Sequence, residues 1–210
     1  MIGDAYLSAA GVAATLLRDP AVSARWSQPS ALADYSVAGL ACHLAYQITR
    51  TVPTLAAPPG DSAIQIPVLE HYTRNAWVTS GAEGADNVQI RRANEQRAAA
   101  TTAQALADEV DAAVAELQRV VPAEPAQRVV DLGEWGLTVD DFLLTRVMEL
   151  VVHGDDLAVS IGVPTPEMPP EATAATIRLL ASIAAWRHGP LAVVRALSRR
   201  ERAPESISAF

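Results

Sequence analysis

Lysine is absent from this chain, cysteine occurs once, at Cys42, and no apolar run approaches the roughly 20 residues that cross a bilayer. Each absence removes a class of function. Without lysine there is no G-x-x-x-x-G-K-[ST] phosphate loop, so Gly81-Ala82-Glu83-Gly84 is not one. A lone cysteine excludes an internal disulfide. The opening residues Met1 to Tyr6 have neither the cationic start nor the clean apolar core of a secretion signal, so the expectation is a soluble, cytoplasmic protein with no membrane partner. Positive charge is also scarce: 16 arginines against 24 acids leave a net charge of −8. That balance argues against a phosphate backbone, and nucleic acid is not an expected partner. A G-x-S-x-G nucleophile elbow is missing too.

What is present is helical periodicity. The 210 residues can bury a substantial core, half of them are apolar, and strand-like alternation is almost missing, so the fold class is all-α. An amphipathic helix over residues 2–18 ends at Asp19-Pro20, and an irregular stretch carrying Trp26, Pro29 and Tyr35 follows. Ser36 can cap a helix over 37–56, with His43 at the edge of its apolar side. The Pro58-to-Ser62 cluster reads as a loop, Pro67 can open a helix reaching about residue 80, and Gly81 to Asp86 reads as another loop. The alanine-rich stretch over 88–121 predicts one long helix. Arg128 to Gly136 suggests a short extended segment or a hairpin. Thr138 with Asp141 resembles a capping box for a helix that Gly162 ends. A proline-rich linker over 163–170 precedes two helices, at about 171–187 and 190–202. The boundaries expected are a bundle over 1–163 and a short helical extension over 164–210.

The chemistry is concentrated in Met148 to Ala158. On a helix, Glu149 and His153 stack on one face, close enough to share a metal ion. Phe142, Thr145, Arg146, Val152 and Asp156 share their arc. The plainer reading is a solvent face with a weak surface pair. Against it stand the continuously apolar flanks Val147, Met148, Leu150, Val151 and Val152, which make this helix central in a bundle, where ionisable groups are costly unless paired or metal-bound. His43 is the best third ligand, and two histidines with one carboxylate leave the open position of a catalytic zinc site. Cys42 does not join it, because neighbouring helical residues diverge by about 100°; it reads as a small buried hydrophobe. His71 and His188 have no partner at ligand spacing and read as surface residues. The arginines Arg195, Arg199, Arg200 and Arg202 could clamp an anion, but with Glu201 and Glu205 among them they read rather as a solvated helix end.

Three runs together resemble the mycothiol-dependent maleylpyruvate isomerase family of the DinB-like superfamily: Trp26-Ser27-Gln28-Pro29-Ser30, then Tyr35 to Leu44 with its Cys42-His43-Leu44, and Glu149-Leu150-Val151-Val152-His153-Gly154-Asp155-Asp156-Leu157-Ala158. The resemblance covers roughly residues 1–163. It implies a DinB-like four-helix bundle, with additional C-terminal helices here, and a divalent metal, usually read as zinc, held by His43, Glu149 and His153. It also implies mycothiol as thiol cosubstrate. Family members often have Trp where Tyr35 and Asp155 stand. The full isomerase supplies a catalytic arginine from a larger domain after the bundle; here Arg195, Arg199 and Arg200 are candidates by charge alone.

The first function expected is a metal-dependent isomerase or S-transferase that adds mycothiol to an electrophilic small molecule. Arg146, one turn before Glu149, is a candidate donor to developing oxyanion charge, with a salt bridge behind the ligands as its alternative role. Rival readings are a non-catalytic metal- or ligand-binding bundle acting through protein partners, and a hydrolase using metal-bound water. The partners expected are a small-molecule electrophile and a thiol, with homodimer formation left open.

Overall fold

The computed structural model describes residues 1–58, 64–81 and 83–210, so Pro59 to Ser62 of the expected loop, and Ala82, lie outside the described residues. The fold is all-α. Helix α1 (Ile2–Leu17) buries an alanine-rich face, with Ala5, Ala9, Ala10 and Ala13 at most 1% exposed, and these small side chains let it lie close along α8 (Val139–Ile161). Helix α3 (Val37–Thr49) and helix α7 (Ala103–Val120) complete a four-helix bundle with them, while α6 (Ala85–Ala99) packs across α3. Leu40, Leu44, Leu117, Leu143, Leu150 and Leu157 fill the space between. Each such leucine contributes about 1.5–3 kcal/mol of burial.

Local chemistry sets the ends of the helices that matter. The Ser36 hydroxyl accepts from the Gly39 N–H at the start of α3, and the Thr138 hydroxyl accepts from the Asp141 N–H at the start of α8. Gly162 closes α8 at φ +72°, a left-handed conformation that glycine adopts without steric cost. The hairpin is present as β1 (Val129–Asp131) paired antiparallel with β2 (Gly136–Thr138).

Several boundaries differ from the sequence reading. Asp19 starts a helix rather than ending the order: its carboxylate accepts from Ala21 N–H and opens α2 (Pro20–Ala24), with proline at the first helical position where its missing N–H costs nothing. Residues 37–56 break at Arg50 into α3 and α4 (Thr51–Ala56). The helix after Pro67 is short, α5 (Val68–Arg74), followed by a 3₁₀ turn at Ala76–Val78. The single helix expected over 88–121 is two, because Thr102 caps α7 by accepting from Ala105 N–H, and α6 and α7 each pack on α3. The proline-rich segment is fastened rather than free: Met168 is buried, and Thr165 donates to Asp155. Helix α9 (Pro170–His188) then packs on α8, α5 and α1, and α10 (Pro190–Ser198) packs on α9. Among the described residues, no helix is long and apolar enough to cross a membrane.

Candidate metal centre

Helices α3 and α8 cross so that His43, Glu149 and His153 meet, and one ligand-type atom from each lies within 4.8 Å of the others. Nε2 of His153 is 3.2 Å and Nε2 of His43 is 3.5 Å from the same carboxylate oxygen, Oε2 of Glu149. The imidazoles stand edge to face, with centroids 4.6 Å apart. Their side chains are 13–17% exposed, so this is not a solvent face.

Their protonation follows from that burial. Burial alone would raise the Glu149 carboxyl, but the hydrogen bonds from His153 and His43 outweigh it and hold the group well below the usual carboxylate range. Burial would lower His153; Asp156 and Glu149 reverse the sign and lift it to about 9. His43 is lowered, first by burial and then by the charges of His153 and Arg146, with Glu149 opposing. Glu149 thus faces the N–H groups of both imidazoles, and His153 lies between the Glu149 and Asp156 carboxylates.

The donor set fits a divalent cation. Two imidazoles and one carboxylate leave a coordination position open, the pattern of catalytic zinc. Asp156 Oδ2 accepts from His153 Nδ1–H at 2.9 Å, which fixes the ring with Nε2 facing Glu149. His43 is held differently. The Asn94 amide nitrogen donates to the Ile90 carbonyl and meets His43 Nδ1 at 3.1 Å, so Nδ1 accepts and the proton sits on Nε2. A metal at that Nε2 requires the proton to move and the amide to turn.

Behind the ligands, Gln47 donates to the His43 carbonyl, and Arg146 donates to Gln47 Oε1 at 2.6 Å while lying over the Phe142 ring. Arg146 does not line the adjoining cavity, so it reaches the ligands through Gln47. Cys42 is fully buried and its thiol is pushed up to about 11 by that burial, as suits a small hydrophobe.

The triad opens into a cavity of about 530 Å³, of the size that takes one small organic ligand. Ile90, Met148, Val152, Trp77 and Phe210 give it an apolar lining, and Tyr35, Arg91, Asp156 and Arg187 add polar groups. Tyr35 is raised above the ordinary phenol value by burial, so its hydroxyl stays protonated. Sequence reasoning did not find Trp77, Arg187 or Phe210, which local spacing does not link. Arg195, Arg199 and Arg200 are not in the cavity. His71 is no free surface residue: its Nδ1 accepts from Trp135 Nε1–H at 3.1 Å. His188 is exposed, as expected, and meets the Ser208 carbonyl.

Residues 7–158 match the family described as the mycothiol maleylpyruvate isomerase N-terminal domain. No curated protein and no solved structure matches this chain.

Proposed function

The chain belongs to the mycothiol maleylpyruvate isomerase N-terminal domain family, and from that premise we propose that it is a metal-dependent enzyme using mycothiol to isomerise, or transfer sulfur to, an electrophilic small molecule. The observation that carries this reading is the convergence of His43, Glu149 and His153 at the wall of one apolar cavity. These three residues would hold the metal, zinc by the donor set, and its charge would lower the pKa of a thiol beside it. Residues 1–163 form the metal-binding bundle in this reading, and residues 164–210 complete the cavity.

The chain's own side chains divide the remaining work. Asp156 and Asn94 orient the two imidazoles, and Gln47 holds the His43 backbone. The apolar walls exclude water, which strengthens charge interactions inside. Attack of the thiolate on an activated double bond forms a C–S bond and sends the π pair to the conjugated carbonyl oxygen. Tyr35 Oη, kept protonated by burial, donates to that oxyanion. Rotation about the new single bond and collapse of the oxyanion expel the thiolate, which regains its proton, and leave the isomer; protonation of the enolate at its α-carbon, by the proton the thiol gave up, keeps the C–S bond and gives the thioether instead. Arg146 steadies this arrangement from behind, through Gln47.

The test is a panel of α,β-unsaturated carbonyl compounds incubated with and without mycothiol. Consumption that requires both mycothiol and an intact His43-Glu149-His153 set supports the proposal. Turnover without thiol would make the protein a hydrolase, and inertness of the metal-loaded protein across the panel would favour a binding bundle.

A further inference from the structure

Residues 172–200 contain none of the chain's 24 acids and five of its 16 arginines: Arg178, Arg187, Arg195, Arg199 and Arg200. In a protein of net charge −8, α9 and α10 therefore form a cationic edge. Among the described residues no carboxylate pairs with Arg195, Arg199 or Arg200; of the acids that follow, Glu201 is paired with Arg202 at 3.6 Å.

The same edge holds apolar side chains in solvent. Helix α10 packs on α9 and buries Val193, while Leu191, Val194 and Leu197 are 57%, 58% and 74% exposed. At about 100° per residue these three share an arc of about 120°, bordered by Arg195. Trp186, also exposed, stands in the last turn of α9, just before the Gly189-Pro190 turn into α10. Exposed apolar residues scattered singly are ordinary, but these four fall within residues 186–197 and are set among unpaired cations.

We propose that α10, with the end of α9, is a docking surface for an anionic lipid membrane. Leu191, Val194 and Leu197 enter the boundary between headgroups and acyl chains, Trp186 lies at headgroup level, and Arg195, Arg199 and Arg200 pair with lipid phosphates. Helix α10 lines neither the metal-side cavity nor the cleft among α1, α5, α8 and α9. A convex helix with cations around an apolar arc matches a fluid anionic surface, which requires no groove and no fixed hydrogen-bond geometry. Screening over roughly 8–10 Å keeps the acids elsewhere on the protein from cancelling this local attraction. The expectation of no membrane partner followed from the lack of a spanning run; a helix lying in the headgroup plane needs no such run. The inference depends neither on the metal nor on mycothiol.

The experiment is co-sedimentation of the purified chain with vesicles of phosphatidylglycerol and phosphatidylcholine in equal parts, and with vesicles of phosphatidylcholine alone. The wild type is expected to bind the mixed vesicles, to leave the neutral ones, and to dissociate as salt is raised. Leu191→Ser/Leu197→Ser alters two exposed side chains and keeps Val193, so it should fold as the wild type does by circular dichroism and lose about tenfold or more in partition onto the mixed vesicles. Arg195→Gln/Arg199→Gln/Arg200→Gln should lose about fivefold per arginine, or about a hundredfold together. Equal binding to neutral and anionic vesicles, binding to neither, or an undiminished partition in either variant would each overturn the inference. Light scattering without lipid tests the competing occupant: a wild-type dimer that becomes a monomer in Leu191→Ser/Leu197→Ser would assign the face to a second copy of this chain and overturn the inference as well.

Discussion

Asp156 Oδ2 lies 2.9 Å from His153 Nδ1 one turn further along α8, while the group facing the corresponding nitrogen of His43 is the Asn94 amide, at 3.1 Å. A carboxylate behind an imidazole raises the basicity of its other nitrogen; an amide N–H donated to the ring does the reverse, by placing the proton on the atom a metal needs. The two substitutions Asp156→Asn and Asn94→Asp should therefore act with opposite sign. Asp156→Asn should weaken metal affinity by about 10–100-fold, and Asn94→Asp should strengthen it, since its carboxylate can accept from His43 Nδ1–H. Competition with a fluorescent chelator reads both. A tighter site in Asp156→Asn would contradict the ligand assignment.

Metal itself is the simplest check on that assignment. Elemental analysis of the purified wild type should find about one divalent ion per chain, and Glu149→Ala, His43→Ala and His153→Ala should each lose it, because three donors converge on one position. Equal metal in the wild type and Glu149→Ala would refute the centre.

Gly39 sets how α3, and with it His43, is held. A Cβ there would come within 2.0 Å of Glu95 Oε1, and that carboxylate accepts from the Ser36 N–H at 2.8 Å and from the Ser36 hydroxyl. Gly39→Ala should displace Glu95, exchanging a helix-propensity gain for the loss of this cap and a net loss of about 1–2 kcal/mol. Urea unfolding measures it. The double variant Gly39→Ala/Glu95→Ala should lose little more than Gly39→Ala alone, because the alanine already removes the interaction that Glu95 makes.

Tyr72 is 1% exposed, and its hydroxyl has no hydrogen-bond partner among the described residues. Its ring contacts to His71, Trp77 and Phe210 do not involve the oxygen. Tyr72→Phe keeps the packing and removes an unsatisfied buried group, so it should stabilise the protein by about 1 kcal/mol. Calorimetry should find Tm higher by about 2–4 °C. A lower Tm would mean that the hydroxyl is satisfied in solution.

The degree to which these features were legible in the chain depended on how local their causes are. The ends of α8 are written in Thr138 and Gly162, and the i, i+4 spacing of Glu149 and His153 survives intact in the folded centre. The alanine-rich stretch misled because propensity over residues 88–121 is nearly uniform, while the break depends on one cap at Thr102 and on α6 and α7 both packing on α3. Asp156 was visible on the right arc, but its role needed the His153 ring orientation. Arg187 and Phe210 had no local signal at all, since they enter the cavity only when the end of the chain folds back onto Trp77.

His71 supplies a pH dependence that separates it from the metal centre. Burial, with the nearby Arg146 charge adding to it, lowers this imidazole to about 4 against an ordinary value of 6.5. The folded state stays neutral in that window while the unfolded chain takes up a proton, so the unfolded state binds more protons and stability rises with pH from about 4 to about 6.5. Acidification through the same window should remove on the order of 2–3 kcal/mol, and the loss should level off below pH 4. His153 does not contribute to this limb: its folded value of about 9 lies above the unfolded one, so its stabilisation is complete below 6.5 and is lost as pH rises toward 9. His71→Gln can still accept from Trp135 Nε1–H but cannot titrate. Its unfolding free energy, measured in chelator from pH 4 to 7, should lack most of the wild-type slope between 4 and 6.5, with His43 and the carboxylates common to both proteins. Parallel curves for wild type and variant would show that His71 exchanges protons freely in the folded protein, and would contradict its half-buried place against Trp135.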